Sequence, residues 1–151
     1  MGDVSQEART WIDRVTDLLA GAGYRRGGAR HELLELMDGQ RCALSAFEIE
    51  DRLAAGPRRV SRASIYRILE ELEAVGAVQR VDIGNGITRY EPLGRGHGHH
   101  HHLVCDSCGN LEPFTDDALE QAVARVAQRV SLDVCEHEIV LHGTCRSCAG
   151  P

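Results

Sequence analysis

Apolar residues recur along residues 7–21 at Trp11, Ile12, Val15, Leu18 and Leu19, and over residues 29–38 at Leu33, Leu34, Leu36 and Met37. This three-to-four spacing predicts two amphipathic helices, the first ended by Gly21 and Gly23 and the second by Gly39. Ser45 followed three residues later by Glu48 has the spacing of a capping box, in which each end of the first turn satisfies the other's backbone donor. A third helix is therefore expected from there to Ala54 or Ala55, where Gly56-Pro57 breaks it. A fourth opens at Ser61 or Arg62, turns Ile65, Ile68, Leu69 and Leu72 inward, and stops at Gly76. Residues 78–83 and 87–91 flank Gly84-Asn85-Gly86, turn chemistry that suits a β-hairpin.

Helices followed by a hairpin give the order of a winged helix-turn-helix, with the last helix as the recognition element. Gly94-Arg95-Gly96-His97-Gly98 reads as a flexible linker. Beyond it the pattern predicts a short strand at Leu103-Val104, a helix over 116–130 and a strand over 134–142. That helix has Asp116 as its N-cap and Leu119, Val123, Val126 and Val130 facing inward. The fold class expected is α+β: an N-terminal winged helix-turn-helix domain over 1–92, a linker over 93–98, and a small C-terminal α/β domain over 99–151.

Size and composition sharpen this picture. A chain of 151 residues makes one ordinary domain or two small ones, and small domains often need a metal for stability. Aromatic residues are 4% of the chain, so the core must come from Leu, Val, Ile and Ala. No run of about 18 apolar residues is present, so no membrane span is expected. The first residues lack the basic and apolar regions of an export signal, which points to the cytoplasm and to reduced thiols. The net charge of −6 is unevenly spread: Arg52, Arg58, Arg59, Arg62 and Arg67 occur with no acidic residue between 52 and 69. A local basic patch matters more for phosphate contact than the whole-chain sum.

The C-terminal half carries the distinctive chemistry. Cys105-Asp106-Ser107-Cys108 and Cys145-Arg146-Ser147-Cys148 are two Cys-X-X-Cys pairs, and a two-residue spacer lets both sulfurs of a pair reach one ion at about 2.3 Å. Two pairs make a closed tetrahedral zinc site that staples the fold rather than catalysing a reaction. The competing reading, a thioredoxin-type redox pair, requires a βαβ setting and a single pair. His99-His100-His101-His102 leads straight into the first pair. In an extended segment His99 and His101 point to one side and His100 and His102 to the other, so one run can serve two sites. A solvated His-rich linker is the blander alternative. Glu120 and His137 are distant residues able to complete such sites, with Cys42, His97 and Cys135 as further candidates. Cys135 reads more readily as a small buried apolar residue, and His31 as a surface histidine. No nucleophile–base pair and no open zinc site beside a general base is visible, so an enzyme is not expected.

Four separated motifs now stand in order: Ser61-Arg62-Ala63-Ser64-Ile65-Tyr66-Arg67-Ile68-Leu69, the hairpin end Thr88-Arg89-Tyr90-Glu91, the histidine run with Leu103-Val104-Cys105-Asp106-Ser107-Cys108-Gly109, and His137 with Gly143-Thr144-Cys145-Arg146-Ser147-Cys148. Together they resemble the ferric uptake regulator family of bacterial metal-dependent repressors over nearly the whole chain. The resemblance implies a homodimer whose winged-helix domains bind a palindromic operator in double-stranded DNA and whose C-terminal domains dimerise and hold metal. It implies a structural zinc on Cys105, Cys108, Cys145 and Cys148. It places His99, His101, Glu120 and His137 at a site within the dimerisation domain, and His100, His102 and Glu91 at an interdomain sensing site for a second divalent metal, zinc or iron(II). Tyr66 and Arg67, with Arg62 and Ser64, would meet bases and phosphates, and Arg25 or Arg26 would reach phosphate or the minor groove.

The chain departs from both common branches of that family. Where the iron branch adds a histidine before the third helix, this chain has Cys42-Ala43-Leu44-Ser45. Where the actinobacterial zinc branch uses an aspartate and a cysteine around the wing, this chain has Gln79 and Leu93. Two other functions share parts of the pattern. One is a peroxide sensor of the same scaffold that oxidises its own histidine at a ferrous site. The other is a zinc-buffering protein with no DNA role.

Overall fold

The computed structural model describes residues 9–95 and 99–150. The chain divides into two compact units, Met1–Gly96 and His97–Pro151. The first runs α1 (Trp11–Gly21), α2 (Gly28–Asp38), β1 (Leu44–Ser45), α3 (Ala46–Ala54), α4 (Arg62–Ala74), β2 (Val78–Asp82) and β3 (Thr88–Pro92). The second runs β4 (His101–Cys105), β5 (Leu111–Phe114), α5 (Asp117–Val130), β6 (Val140–Gly143) and α6 (Arg146–Ala149). The architecture is α+β with two small sheets.

Helix starts in the first unit follow their capping residues. Thr10 accepts from the backbone N–H of Asp13, and Ser45 from that of Glu48; both caps are closed by the reciprocal carboxylate. Ser61 caps α4 through the N–H of Ser64. The buried faces of α1 to α4 share one core in which Leu33, Met37, Ile49, Ile65, Leu69 and Leu72 are sealed from solvent. Removing a side chain of this size from water contributes about 1.5–3 kcal/mol each. The hairpin is larger than its sequence suggests. β3 is the middle strand, antiparallel to β2 on one side and to the two-residue β1 on the other. Gly84 and Gly86 supply the positive φ that its turn needs.

Residues 93–95, expected in the linker, are anchored to the first unit. Leu93 donates to Ala77 O and its carbonyl accepts from Trp11 Nε1 at 2.7 Å. Arg95 bonds to Met37 O at 3.2 Å and pairs with Asp38. Residues 7, 8 and 96–98, including the candidate ligand His97, lie outside the described residues.

The second unit is a three-stranded sheet of order β5-β4-β6. β4 is antiparallel to β5 and parallel to β6. Asp116 caps α5 as expected. Three expectations are corrected. First, the final strand begins only at Val140; residues 132–139 form no ladder. Second, α5 has no buried residue: Val126 is 47% and Val130 57% exposed, because no described residue of this unit covers its apolar stripe. Third, Cys135 is exposed rather than a small core residue. Among the described residues of this unit, the buried side chains all come from β4: His101, His102, Val104 and Cys105.

Candidate functional site

Backbone pairing brings the two cysteine pairs together. The parallel register sets Cys105, the last residue of β4, opposite Gly143, two residues before Cys145. Asp106 N–H donates to Gly143 O at 2.9 Å, and Gly109, at positive φ, closes the first turn onto Cys105 O at 2.8 Å. Cys145 is the N-cap of α6, and Cys148 lies within that single helical turn. One ligand atom from each of Cys105, Cys108, Cys145 and Cys148 lies within 4.8 Å of the others, and all four are free thiols. Cys108 Sγ and Cys145 Sγ are 3.9 Å apart. Zinc–sulfur bonds of about 2.3 Å in a tetrahedron put neighbouring sulfurs about 3.8 Å apart. The donors therefore fit zinc in geometry and type.

Their electrostatics point the same way. The backbone N–H of Cys145 points at Cys105 Sγ at 3.3 Å and, with that of Cys108, pulls the Cys105 thiol down to about 6. Cys148 is pushed up to about 12 by the neighbouring sulfurs of Cys145 and Cys108. Such a cage favours one thiolate and resists a fourth unless a cation offsets the charge. His142 is hydrogen-bonded through Nδ1 to Asp106 at 2.8 Å and so braces the first cysteine turn against β6.

The second ligand set gathers around the other end of β4. His101 Nε2 lies 2.6 Å from Glu120 Oε1, His137 Nε2 3.1 Å from Glu120 Oε2, and His99 Nε2 3.1 Å from His137 Nε2. Glu120 comes from the first turn of α5 and His137 from the segment before β6. These four also place one ligand atom each within 4.8 Å of the others. Bonds of about 2.0–2.2 Å to nitrogen and oxygen require donors about 3.3–3.6 Å apart, so a small opening of the set admits a tetrahedral cation. Hydrogen bonding to His101, then to His137, holds the Glu120 carboxyl below its ordinary value and keeps it anionic. Burial, then the neighbouring rings of His101 and His137, lowers His99, which favours the neutral ring that a metal requires. His101 Nδ1 is buried with no hydrogen-bond partner among the described residues.

The alternation expected of the histidine run is present within the second unit. His99 and His101 rings stand 4.6 Å apart on the side of Glu120, while His100 and His102 pair with each other at 5.1 Å. His102 also lies near Glu138, at 3.6 Å, a residue that sequence reasoning did not single out. Glu91 belongs to β3 of the first unit, where Gln79 bonds to it. Among the described residues, neither Cys42 nor Cys135 joins a cluster of three or more metal-ligand side chains. His31 is a surface residue paired with Glu35.

In the first unit, Arg62, Tyr66 and Arg67 share the exposed side of α4, opposite its buried face, with Tyr66 40% exposed. Ser64 is half-buried, its hydroxyl 3.0 Å from that of Ser61, so it also serves the cap. Arg25 and Arg26 are exposed in the turn between α1 and α2. Arg62 is held by two residues the sequence did not mark, Glu50 and Phe47 of α3. A pairing between side chains on separate helices leaves no local pattern to find.

Comparison with known proteins agrees with this arrangement. The chain is 33% identical over 131 residues to the ferric uptake regulation protein of Legionella pneumophila, covering 86% of this chain and 95% of that one. It is 28% identical over 141 residues to the ferric uptake regulation protein of Bacillus subtilis, covering 92% and 95%. The crystal structure of the Vibrio cholerae ferric uptake regulator matches with a TM-score of 0.76 at 29% identity, over 86% of this chain and 98% of that one. The family model described as the ferric uptake regulator family matches residues 21–142. With the match spanning most of the chain, this protein belongs to the ferric uptake regulator family.

Proposed function

We propose that the chain is a metal-responsive transcriptional repressor that binds a palindromic operator in double-stranded DNA as a homodimer. The observation that carries this reading is the makeup of β4: where a small unit would bury an apolar core, it buries two imidazoles and a thiol beside one aliphatic residue. Such a unit depends on ligands for its stability. We assign structural zinc to Cys105, Cys108, Cys145 and Cys148. A second divalent ion, zinc or iron(II), is assigned to His99, His101, Glu120 and His137. Glu91 of the wing with His100 and His102 of the histidine run is the proposed sensing set.

When bound, the ions supply the positive charge that lets anionic and neutral donors converge. The rest falls to the chain. Arg62, Tyr66 and Arg67 present α4 to the major groove, and Arg25 and Arg26 supply phosphate or minor-groove contacts. The exposed stripe of α5 offers a second copy an apolar surface. Sensing ligands drawn from both units would make the placement of the recognition helices depend on metal, and operator half-sites at fixed spacing reward only one placement.

The test is operator binding titrated with zinc, iron(II), manganese and nickel, using duplexes selected from a random pool. Tight binding with one metal, lost on mild chelation that leaves the thiolate-bound zinc in place, is expected. Equal affinity with metal and with chelator sinks the gating. Binding of ions without any selected duplex would leave a metal buffer.

A further inference from the structure

Arg62 opens the recognition helix and is engaged on two sides. Its Nε donates to Glu50 Oε2 at 2.7 Å, and its Nη2 pairs with the same oxygen. Its guanidinium carbon sits 4.2 Å from the centre of the Phe47 ring. Phe47 and Glu50 are three residues apart on α3, which places them on one helix face. Between them they cradle a side chain that still has 48% of its surface exposed. Phe47 is itself 50% exposed, an aromatic that the core does not use.

The geometry leaves one part of the guanidinium uncommitted. Glu50 occupies the edge formed by Nε and Nη2, and the Phe47 ring lies against the guanidinium carbon. The edge formed by Nη1 and Nη2 is the one that can make two parallel hydrogen bonds to an acceptor pair. In the major groove, guanine O6 and N7 are that pair, and they are read by residues at the start of a recognition helix. An exposed ion pair adds little net stability, so stability alone gives this cradle little value. Fixing a flexible arginine before it meets a base is a different use, because less rotamer freedom is then lost on binding.

We propose that Glu50 and Phe47 are positioning residues that orient Arg62 to read one guanine in each operator half-site, and so set part of the sequence specificity. This rests on the DNA-binding reading of the preceding subsection.

The experiment selects duplexes from a random pool with the full-length, metal-loaded wild-type protein. It then measures affinity for the selected duplex, for single-base variants and for a non-specific duplex across a salt series. Arg62→Ala identifies the guanine by abolishing preference at one position. Glu50→Gln and Phe47→Leu are each expected to cut discrimination at that same position roughly tenfold while leaving non-specific affinity and its salt slope in place. Arg62→Lys keeps the charge without the paired donors and is expected to lose the same discrimination. Unfolding midpoints and metal content confirm that each variant is folded, and Phe47→Leu carries the test should Glu50→Gln fail that check. Undiminished discrimination in Glu50→Gln and Phe47→Leu overturns the cradle alone. So does tighter binding by Glu50→Gln to every duplex, which would make Glu50 a competitor for Arg62. A wild type that selects no duplex with any metal overturns the DNA-binding reading, and the cradle with it.

Discussion

Arg89 donates from Nη1 to Glu48 Oε2 at 2.6 Å, and the same oxygen accepts the backbone N–H of Ser45 at 2.8 Å. One carboxylate thus closes the cap of α3 and ties that helix to the middle strand of the wing. Arg89 is buried, and its Nε has no hydrogen-bond partner among the described residues. Glu48 is therefore what makes its burial tolerable. Burial pushes the Glu48 carboxyl up, but hydrogen bonds from Ser45 and Arg89 outweigh it and leave the pKa below the usual 4.5.

Glu48→Gln is expected to lower stability at pH 7 by about 2 kcal/mol, the scale of a charge-assisted hydrogen bond lost from a partly buried site. A carboxyl lowered on folding stabilises the fold fully above its unfolded value and loses that contribution as pH falls through the folded one. The gap between wild type and Glu48→Gln should therefore be constant above about pH 5 and close at more acid pH. Urea unfolding of both proteins from pH 7 to pH 3 measures it; a gap that persists at pH 3 contradicts the assignment.

Cys108→Ser should release one zinc per chain and unfold residues 99–150 while leaving the first unit folded. Structural zinc in such sites is worth about 10–16 kcal/mol. The second unit has little buried apolar surface to replace it. Metal analysis together with limited proteolysis reads both effects. Retention of the full zinc content by Cys108→Ser would remove that residue from the ligand set.

His101→Ala should weaken the second site by roughly 100-fold or more and spare the thiolate site, since removing a ligand costs more than removing its supporting partner. Cobalt(II) titration distinguishes the two, because only sulfur ligands give the near-ultraviolet charge-transfer bands. Loss of those bands in His101→Ala would show that the two sites are not separate.

In the proposed homodimer, Val126→Glu with Val130→Glu should shift the equilibrium toward monomer by at least about tenfold in dissociation constant, equivalent to 1.4 kcal/mol. Both side chains lie on the exposed apolar stripe of α5. Light scattering over a concentration series measures the shift. An unchanged dimer would place the interface elsewhere.

Much of this structure was legible where local signals agree. α4 begins at its serine cap and buries the four residues that its periodicity marks. The cysteine spacings and the alternating histidines marked their clusters because short extended segments leave side chains little choice of direction. What escaped depends on distant partners. β5 has two exposed residues, Glu112 and Pro113, and is a strand only because β4 pairs with it along an edge. The α5 stripe reads as a core face, yet among the described residues it stays exposed. The Glu50–Arg62 and Glu48–Arg89 pairs join residues 12 and 41 positions apart, beyond any helical or strand period.

The pleat of β4 also limits how this protein can change. Its neighbouring imidazoles serve opposite faces, so losing or gaining one residue within the tract would swap every donor to the wrong side and pull Cys105 out of step with Gly143. Substitution at proposed distal donors such as Glu120 or His137 would retune metal preference one position at a time. Insertions and deletions in the tract cannot, and related chains should differ in which residues meet β4 far more than in the length of β4 itself.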